Sequence, residues 1–276
     1  MDVRESAIEA LKADPAAHSL RRSLETYYGD RERAAAMDNL YAPFVRPGDL
    51  VFDVGAHVGD HTGSFRRLGA RVVAVEPQPV CTWAIRAIYA TDREVTLVQA
   101  ACGAHRGTIR FNVNSANPTV STASAHFPQA ADGAAGWEDE IWDTRIEVRS
   151  VTLDALIQEY GVPAFVKIDV EGFEDAVLAG LNRPLRALSF EFTTIERPVA
   201  QRCLDRLTAL GFHRFNLALG DTMSLAFPQW VSARDMAAHL LSLPHHANSG
   251  DVYCLSPTAG QAPRAPVTRW RPGPRA

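Results

Sequence analysis

From Asp49 onward the chain alternates short apolar runs with stretches of helical spacing. The runs are LVFDVGA, RVVAVEP, VTLVQAACG, FVKIDVEG and ALSFEFT. Apolar, β-branched runs of this length, separated by helical segments, predict βαβ units and a mostly parallel sheet with helices on both faces. TIRFNV and RIEVRSV read as β additions on either side of a loop over residues 114–144, rich in Ala, Ser, Asn and Gly. A loop of that length inside a compact domain is either functional or disordered. After the fifth run, PVAQRCLDRLTALGF has helical spacing and stops at Gly211, a natural C-cap. HRFNLA and DVYCL then read as closing strands with an irregular insertion between them.

The two ends have a different texture. Residues 1–46 read as amphipathic helices, Arg4 to Ala13 and Ser19 to Phe44, interrupted at Asp14-Pro15 and loosened around Gly29. They are expected to cap the core or the active site. The last 21 residues hold five prolines and no periodicity, so residues 257–276 are expected to be a disordered tail. The resulting division is a helical cap over 1–46, one catalytic domain over 47–256 and the tail.

Composition adds little to that outline. A chain of 276 residues, 46% of them hydrophobic, can bury the core of one such domain. No stretch approaches the roughly 18 apolar residues of a membrane span, and MDVRESAIEALKAD carries acids where a signal peptide is basic and then apolar. A cytoplasmic protein is expected. The formal charge is −4, and the four arginines of the acid-free segment 256–276 leave −8 on the remainder. That balance argues against nucleic acid as substrate. Cys81, Cys102, Cys203 and Cys254 are too scattered for a zinc or redox pair and read as free buried thiols.

The chemistry is concentrated at the ends of the predicted strands. In VFDVGAHVGDHTG, Asp53 closes a strand, Gly55 allows a tight turn and Gly59 lets the next helix approach a ligand. Such a helix start offers free N–H groups to the carboxylate of an amino-acid-like ligand, whose ammonium Asp53 is placed to receive. The spacing is G-x-x-x-G, not the G-x-G-x-x-G of a pyrophosphate site. Glu76 ends the second run, where an acid accepts from both ribose hydroxyls. Ala101 and Cys102 are small enough to flank an adenine. Asp169, Glu171 and Glu174 cluster just past the fourth run, and Glu191 sits at the equivalent end of the fifth. Glu174 reads as a helix-start acid with a structural role; Asp169, Glu171 and Glu191 read as functional.

VFDVGAHVGDHTGSF, VVAVEP, VQAACG, VTLDALI, FVKIDVEGFEDAVLAG and a late GDVYC follow the order and wording of FkbM-type methyltransferases, and the chain resembles that family from about Asp49 to Leu255. KIDVEGFE discriminates best. His57 departs from the pattern, since Asn is commoner there. The resemblance implies a Rossmann-like class I methyltransferase fold, α/β with a mostly parallel seven-stranded sheet, and S-adenosylmethionine as cofactor. It also implies O-methylation of a sugar, glycan or secondary-metabolite hydroxyl. The cofactor set is then Asp53, Gly55, Ala56, His57, Gly59, Asp60, Glu76, Pro77, Ala101, Cys102 and Asp169. Glu171, Asp169, His57 and Glu191 are the candidates to take the acceptor's proton.

Three alternatives stand beside this reading. An NAD-dependent nucleotide-sugar oxidoreductase would also use a glycine turn and a ribose acid, but the third glycine and a Tyr-x-x-x-Lys pair are missing. A base methyltransferase would offer an Asn-Pro-Pro-aromatic loop where this chain has Asp169-Val-Glu-Gly. A non-catalytic cofactor-binding scaffold is disfavoured by the intact Asp53, Gly55, Gly59 and Glu76. Neighbouring carboxylates could also hold magnesium, although the sequence shows no complete ligand set and no metal ligand is assigned. His245-His246 reads as surface loop, and His61, His105 and His126 carry no signal.

Overall fold

The computed structural model describes residues 3–257. Its strands are β1 Leu50–Val54, β2 Arg71–Val75, β3 Val95–Val98, β4 Ala101–Cys102, β5 Gly107–Val113, β6 Thr144–Val151, β7 Phe165–Ile168, β8 Ala187–Thr193, β9 Arg214–Leu219 and β10 Ser249–Leu255. Seven of them form the central sheet in the order β3-β2-β1-β7-β8-β10-β9. All its pairings are parallel except those of β10, which lies antiparallel between β8 and β9. This is the class I methyltransferase sheet.

Every residue of β1 and β7 is buried, as expected of strands covered on both faces. Successive side chains alternate between two apolar layers. Val51, Phe165, Ala187 and Tyr253 pack with Tyr41, Phe44 and Phe65. Phe52, Val54, Ile168, Phe190 and Val252 pack on the other side with Leu156, Leu178, Leu204 and Met236. The helices supplying these layers are α3 Arg31–Tyr41 and α4 Asp60–Arg67 on one side, and α7 Leu153–Tyr160, α8 Glu174–Ala179, α9 Arg197–Ala209 and α10 Ala233–Ser242 on the other. The chain runs outward from β1 to β3 and later resumes beside β1 with β7. The strand order thus reverses between β1 and β7, the place where open α/β sheets hold ligands.

Four local expectations need correction. The run VTLVQAACG is not one strand: it leaves the main sheet after Val98, and β4 joins a second sheet of order β4-β6-β5. The long N-terminal helix is divided. A 3₁₀ turn at Pro15–Leu20 follows α1 Val3–Ala13, and α2 Arg21–Gly29 ends where Asp30 begins α3 by accepting from the N–H groups of Glu32 and Arg33. Segment 114–144 is a folded flap. It holds α6 Phe127–Ala131 and a small core of Val120, Phe127, Ala131 and Trp137, and Glu140 ties it back by accepting from Asn114 and Asn117. The insertion between the closing strands contains α10, started by Ser232 accepting from the Asp235 N–H.

The remaining helix, α5 Pro79–Ile88, packs with α1 through Ile8, Leu11, Ala84 and Ile85. Among the described residues no helix is long and apolar enough to cross a membrane. Of the expected tail, residues 258–276 lie outside the described residues.

Candidate active site

A cleft opens at the carboxyl ends of β1, β2, β7 and β8. Its first wall is the turn after β1. Gly55 has φ +83, and a Cβ there would overlap the carbonyl oxygen of Asp169. Only glycine lets this turn lie against the loop after β7. The turn is fixed to β2 by Glu76, which is 2% exposed: Oε2 accepts from the His57 N–H at 2.9 Å and Oε1 from the Gln78 N–H at 2.8 Å. Each oxygen keeps lone-pair capacity toward the cleft. Burial pushes the Glu76 carboxyl up to about 7.

The second wall is a charge network around Lys167, whose side chain is 1% exposed in the middle of β7. Its ammonium donates to Asp169 Oδ2 at 3.0 Å and to Asp251 Oδ1 at 2.7 Å. Burial is the largest single influence on Asp169 and would raise it, but the Lys167 charge together with hydrogen bonds to Glu191 and Lys167 holds this carboxyl below the usual range. Burial, and then the charge of Asp169, push Glu171 and Glu191 well up. Asp251 stands opposite Glu191 in the β8–β10 pairing. Glu174 plays the structural part expected of it: Oε1 accepts from the Val170 and Gly172 N–H groups, so it holds the loop that presents Asp169 and Glu171.

The rim is built by the helical cap. Arg33 on α3 reaches Asp60 Oδ2 and Asp221 Oδ1, both at 3.1 Å, and lies over the Tyr27 ring. The non-glycine residues with positive φ among those described are His57, Glu171, Met223 and Asn248, and all four line this cleft. Left-handed backbone at such residues costs about 1–3 kcal/mol each and concentrates where a site demands it.

The structure brings Gly55, His57, Asp60, Glu76, Pro77, Ala101, Cys102, Asp169, Glu171 and Glu191 to the cleft wall. Asp53, Ala56 and Gly59 lie beneath it. Asp53 is 1% exposed and accepts from Thr62 Oγ1 at 2.6 Å, and Ala56 packs among the apolar residues of α1 and α5. Gly59 faces the Tyr89 ring, so that packing and a φ of +85 already require a glycine there. Burial lowers His57 to about 4, which leaves a neutral imidazole and a weak proton acceptor. His61 is hydrogen-bonded to Tyr41 Oη through Nδ1 at 2.9 Å.

Sequence reasoning missed Lys167, Asp251, Arg33, Asp221 and Asn248. Lys167 had a signal: a charge inside the apolar run FVKI needs buried partners. Asp251 lies in the GDVYC motif, whose site role was not read, and Arg33, Asp221 and Asn248 come from distant segments with no local signature.

Residues 53–214 match the model of the methyltransferase FkbM domain. The chain belongs to this family. A curated relative, the 31-O-demethyl-FK506 methyltransferase FkbM of Streptomyces tacrolimicus, is 34% identical over 162 residues, covering 50% of this chain and 61% of that protein. The alignment thus spans less than two thirds of the relative's length. Two solved structures resemble the fold at low identity. Aeropyrum pernix fibrillarin, in complex with natively bound S-adenosyl-L-methionine, is 12% identical with a TM-score of 0.42, over 80% of this chain and 76% of that one. Precorrin-6y C5,15-methyltransferase from Geobacter metallireducens is 14% identical with a TM-score of 0.42, over 81% and 87%. The FkbM assignment sets aside the oxidoreductase alternative. The FkbM span contains Gly55, Glu76, Asp169, Glu171 and Glu191, whereas Arg33, Asp221, Asn248 and Asp251 come from outside it.

Proposed function

We propose that this FkbM-family protein transfers the methyl group of S-adenosylmethionine to a hydroxyl oxygen of a sugar, glycan or secondary metabolite. The observation that carries the reading is the meeting of Glu76 and the Asp169–Glu171 loop in one cleft, on either side of the Gly55 turn. The relative's name, which places its own methyl transfer at an oxygen, points the same way.

The residues present fit the cofactor. Glu76, fixed by two backbone N–H groups, retains acceptor capacity for ribose hydroxyls, and since the Gly55, Ala56 and His57 N–H groups already donate to Val75 and Glu76, a carboxylate is met by the start of α4. Ala101 and Cys102 leave room beside Glu76 for a flat ring. When bound, S-adenosylmethionine supplies a methyl group made electrophilic by its sulfonium. An alcohol is a poor nucleophile until its proton has a destination, and the protein's task is alignment and proton removal. Asp169, which accepts from Lys167, orients the acceptor, and Glu171 receives the proton in its ionised form, which burial and the Asp169 charge make the stronger base.

Mass-spectrometric screening of hydroxylated glycans, nucleotide sugars and macrolide-like metabolites for methylated products identifies the acceptor. With that acceptor, Glu171→Gln should lower transfer by about 10²-fold or more while cofactor affinity, read by calorimetry, changes little. Wild-type turnover in both Glu171→Gln and Asp169→Asn would overturn the assignment. Cofactor binding without transfer to any acceptor would instead support a binding scaffold.

A further inference from the structure

We propose that Asp169, Glu171 and Glu191 bind one hard divalent cation of the magnesium, manganese or calcium class, open to the cleft. Each residue offers a carboxylate oxygen, and these oxygens all lie within 4.8 Å of one another. Oxygen ligands about 2.1–2.5 Å from one ion stand at most roughly 4–5 Å apart, so the three fit around a single centre. They are held by adjacent strands: Asp169 and Glu171 follow β7, and Glu191 belongs to β8.

A second observation is the unmet demand of Glu171 and of one Glu191 oxygen, since Asp169 already accepts from Lys167. Glu171 is 8% exposed, faces the cleft, and has no side-chain hydrogen bond among the described residues. Glu191 Oε2 is buried without a hydrogen-bond partner. Buried acceptors are ordinarily satisfied, and those left over mark a missing donor or ion. Lys167 cannot satisfy both residues, because two of its three N–H groups already go to Asp169 and Asp251. Four carboxylates therefore face one lysine. The donor set is all oxygen, which favours magnesium, manganese or calcium over zinc or copper. Three protein ligands leave the other coordination positions toward the cleft, where water or acceptor oxygens enter.

The consequence for substrate class rests on the methyl-transfer reading. A cation here selects acceptors that offer two neighbouring oxygens, such as a vicinal diol or a hydroxy-carbonyl, and acidifies the hydroxyl it holds.

The test uses the full chain, treated with EDTA and dialysed, then titrated with Mn²⁺ while free Mn²⁺ is followed by electron paramagnetic resonance. The expected result is one Mn²⁺ per chain with a dissociation constant of about 10⁻⁴ M or tighter. Glu171→Gln and Glu191→Gln should each weaken binding by about tenfold or more. Asp175→Asn, on α8 and paired with Arg202, should not. Should a variant not fold, wild-type thermal unfolding decides: saturating Mn²⁺ or Ca²⁺ should raise the midpoint. No stoichiometric binding, no shift in the midpoint, or unchanged binding in Glu191→Gln would overturn the site. The two readings fail separately. Transfer that continues in EDTA removes the cation and keeps the methyltransferase, whereas stoichiometric Mn²⁺ binding without cofactor binding keeps the cation and removes the methyl-transfer reading.

Discussion

Glu76 is buried and held by two backbone N–H groups, and the effect of pH on it follows directly. Its folded value of about 7 lies above the ordinary 4.5, so between those limits the folded chain keeps a proton that the unfolded chain releases. Its contribution to stability is present below pH 4.5 and is lost as pH rises through 7. Urea unfolding of the cofactor-free protein should show a loss on the order of 3 kcal/mol over that window that is absent in Glu76→Gln. Cofactor affinity should move oppositely, tightening from pH 6 to pH 8, because the ionised carboxylate is the better acceptor for hydroxyls. Equal tightening in Glu76→Gln would remove Glu76 from the ribose role. Gly55 and Gly29 give a paired test of backbone. Gly55→Ala meets the Asp169 carbonyl at φ +83 and should cost more than about 3 kcal/mol, while Gly29→Ala has no neighbour within 4 Å and should be neutral or stabilising by up to about 1 kcal/mol. At this scale the sequence disclosed Glu76, Gly55 and the Asp169–Glu171 pair, because each sits at a strand end where residue type and position agree. It hid Asp251 and Arg33, whose roles arise only when segments far apart in sequence meet.

At the scale of elements, the flap over 114–144 is the main surprise. Its sequence is rich in small and polar residues, yet Phe127 and Trp137 stack edge to face and Trp142 donates to the Val120 carbonyl. The few aromatics carry its order, and composition averaged over the whole segment conceals them. Phe127 also lies where a Cβ on Gly172 would stand, so the flap rests on the loop that carries Asp169 and Glu171. Thr122 adds a hydrogen bond to the Glu171 carbonyl at 2.7 Å. Phe127→Ala should therefore cost about 3–5 kcal/mol locally and lower transfer more than cofactor affinity. Hydrogen exchange should quicken across 114–144 and 169–173 while β1 and β7 stay protected. Uniform loss of protection across the sheet would show that the flap is part of the global folding unit. The N-terminal helices were legible from their periodicity. The loosening expected around Gly29 is a full break, because Asp30 caps a new helix through backbone geometry that spacing does not specify.

For the molecule as a whole, the buried apolar strands made the parallel half of the sheet readable, because a parallel strand covered on both faces leaves an unbroken hydrophobic run. The place of β10 was not readable: nothing local to DVYCL distinguishes an edge strand from one inserted between two others. That insertion bears on the order in which the protein can be made. Synthesis runs from the N-terminus, so β8 and β9 both exist before Ser249 leaves the ribosome, each with an open edge toward the gap. Unpaired edges of this kind invite wrong pairing. The same late strand brings Asp251 to Lys167, so a nascent chain has a buried ammonium short of one partner until its final strand arrives. Ribosome-stalled chains that stop before residue 249 but are carried clear of the exit tunnel by an appended linker should be cleaved readily by protease within β9, and chains that include residue 255 on the same linker should resist. Translation of the last strand is thus the step that closes the sheet and completes the charge network around Lys167 together.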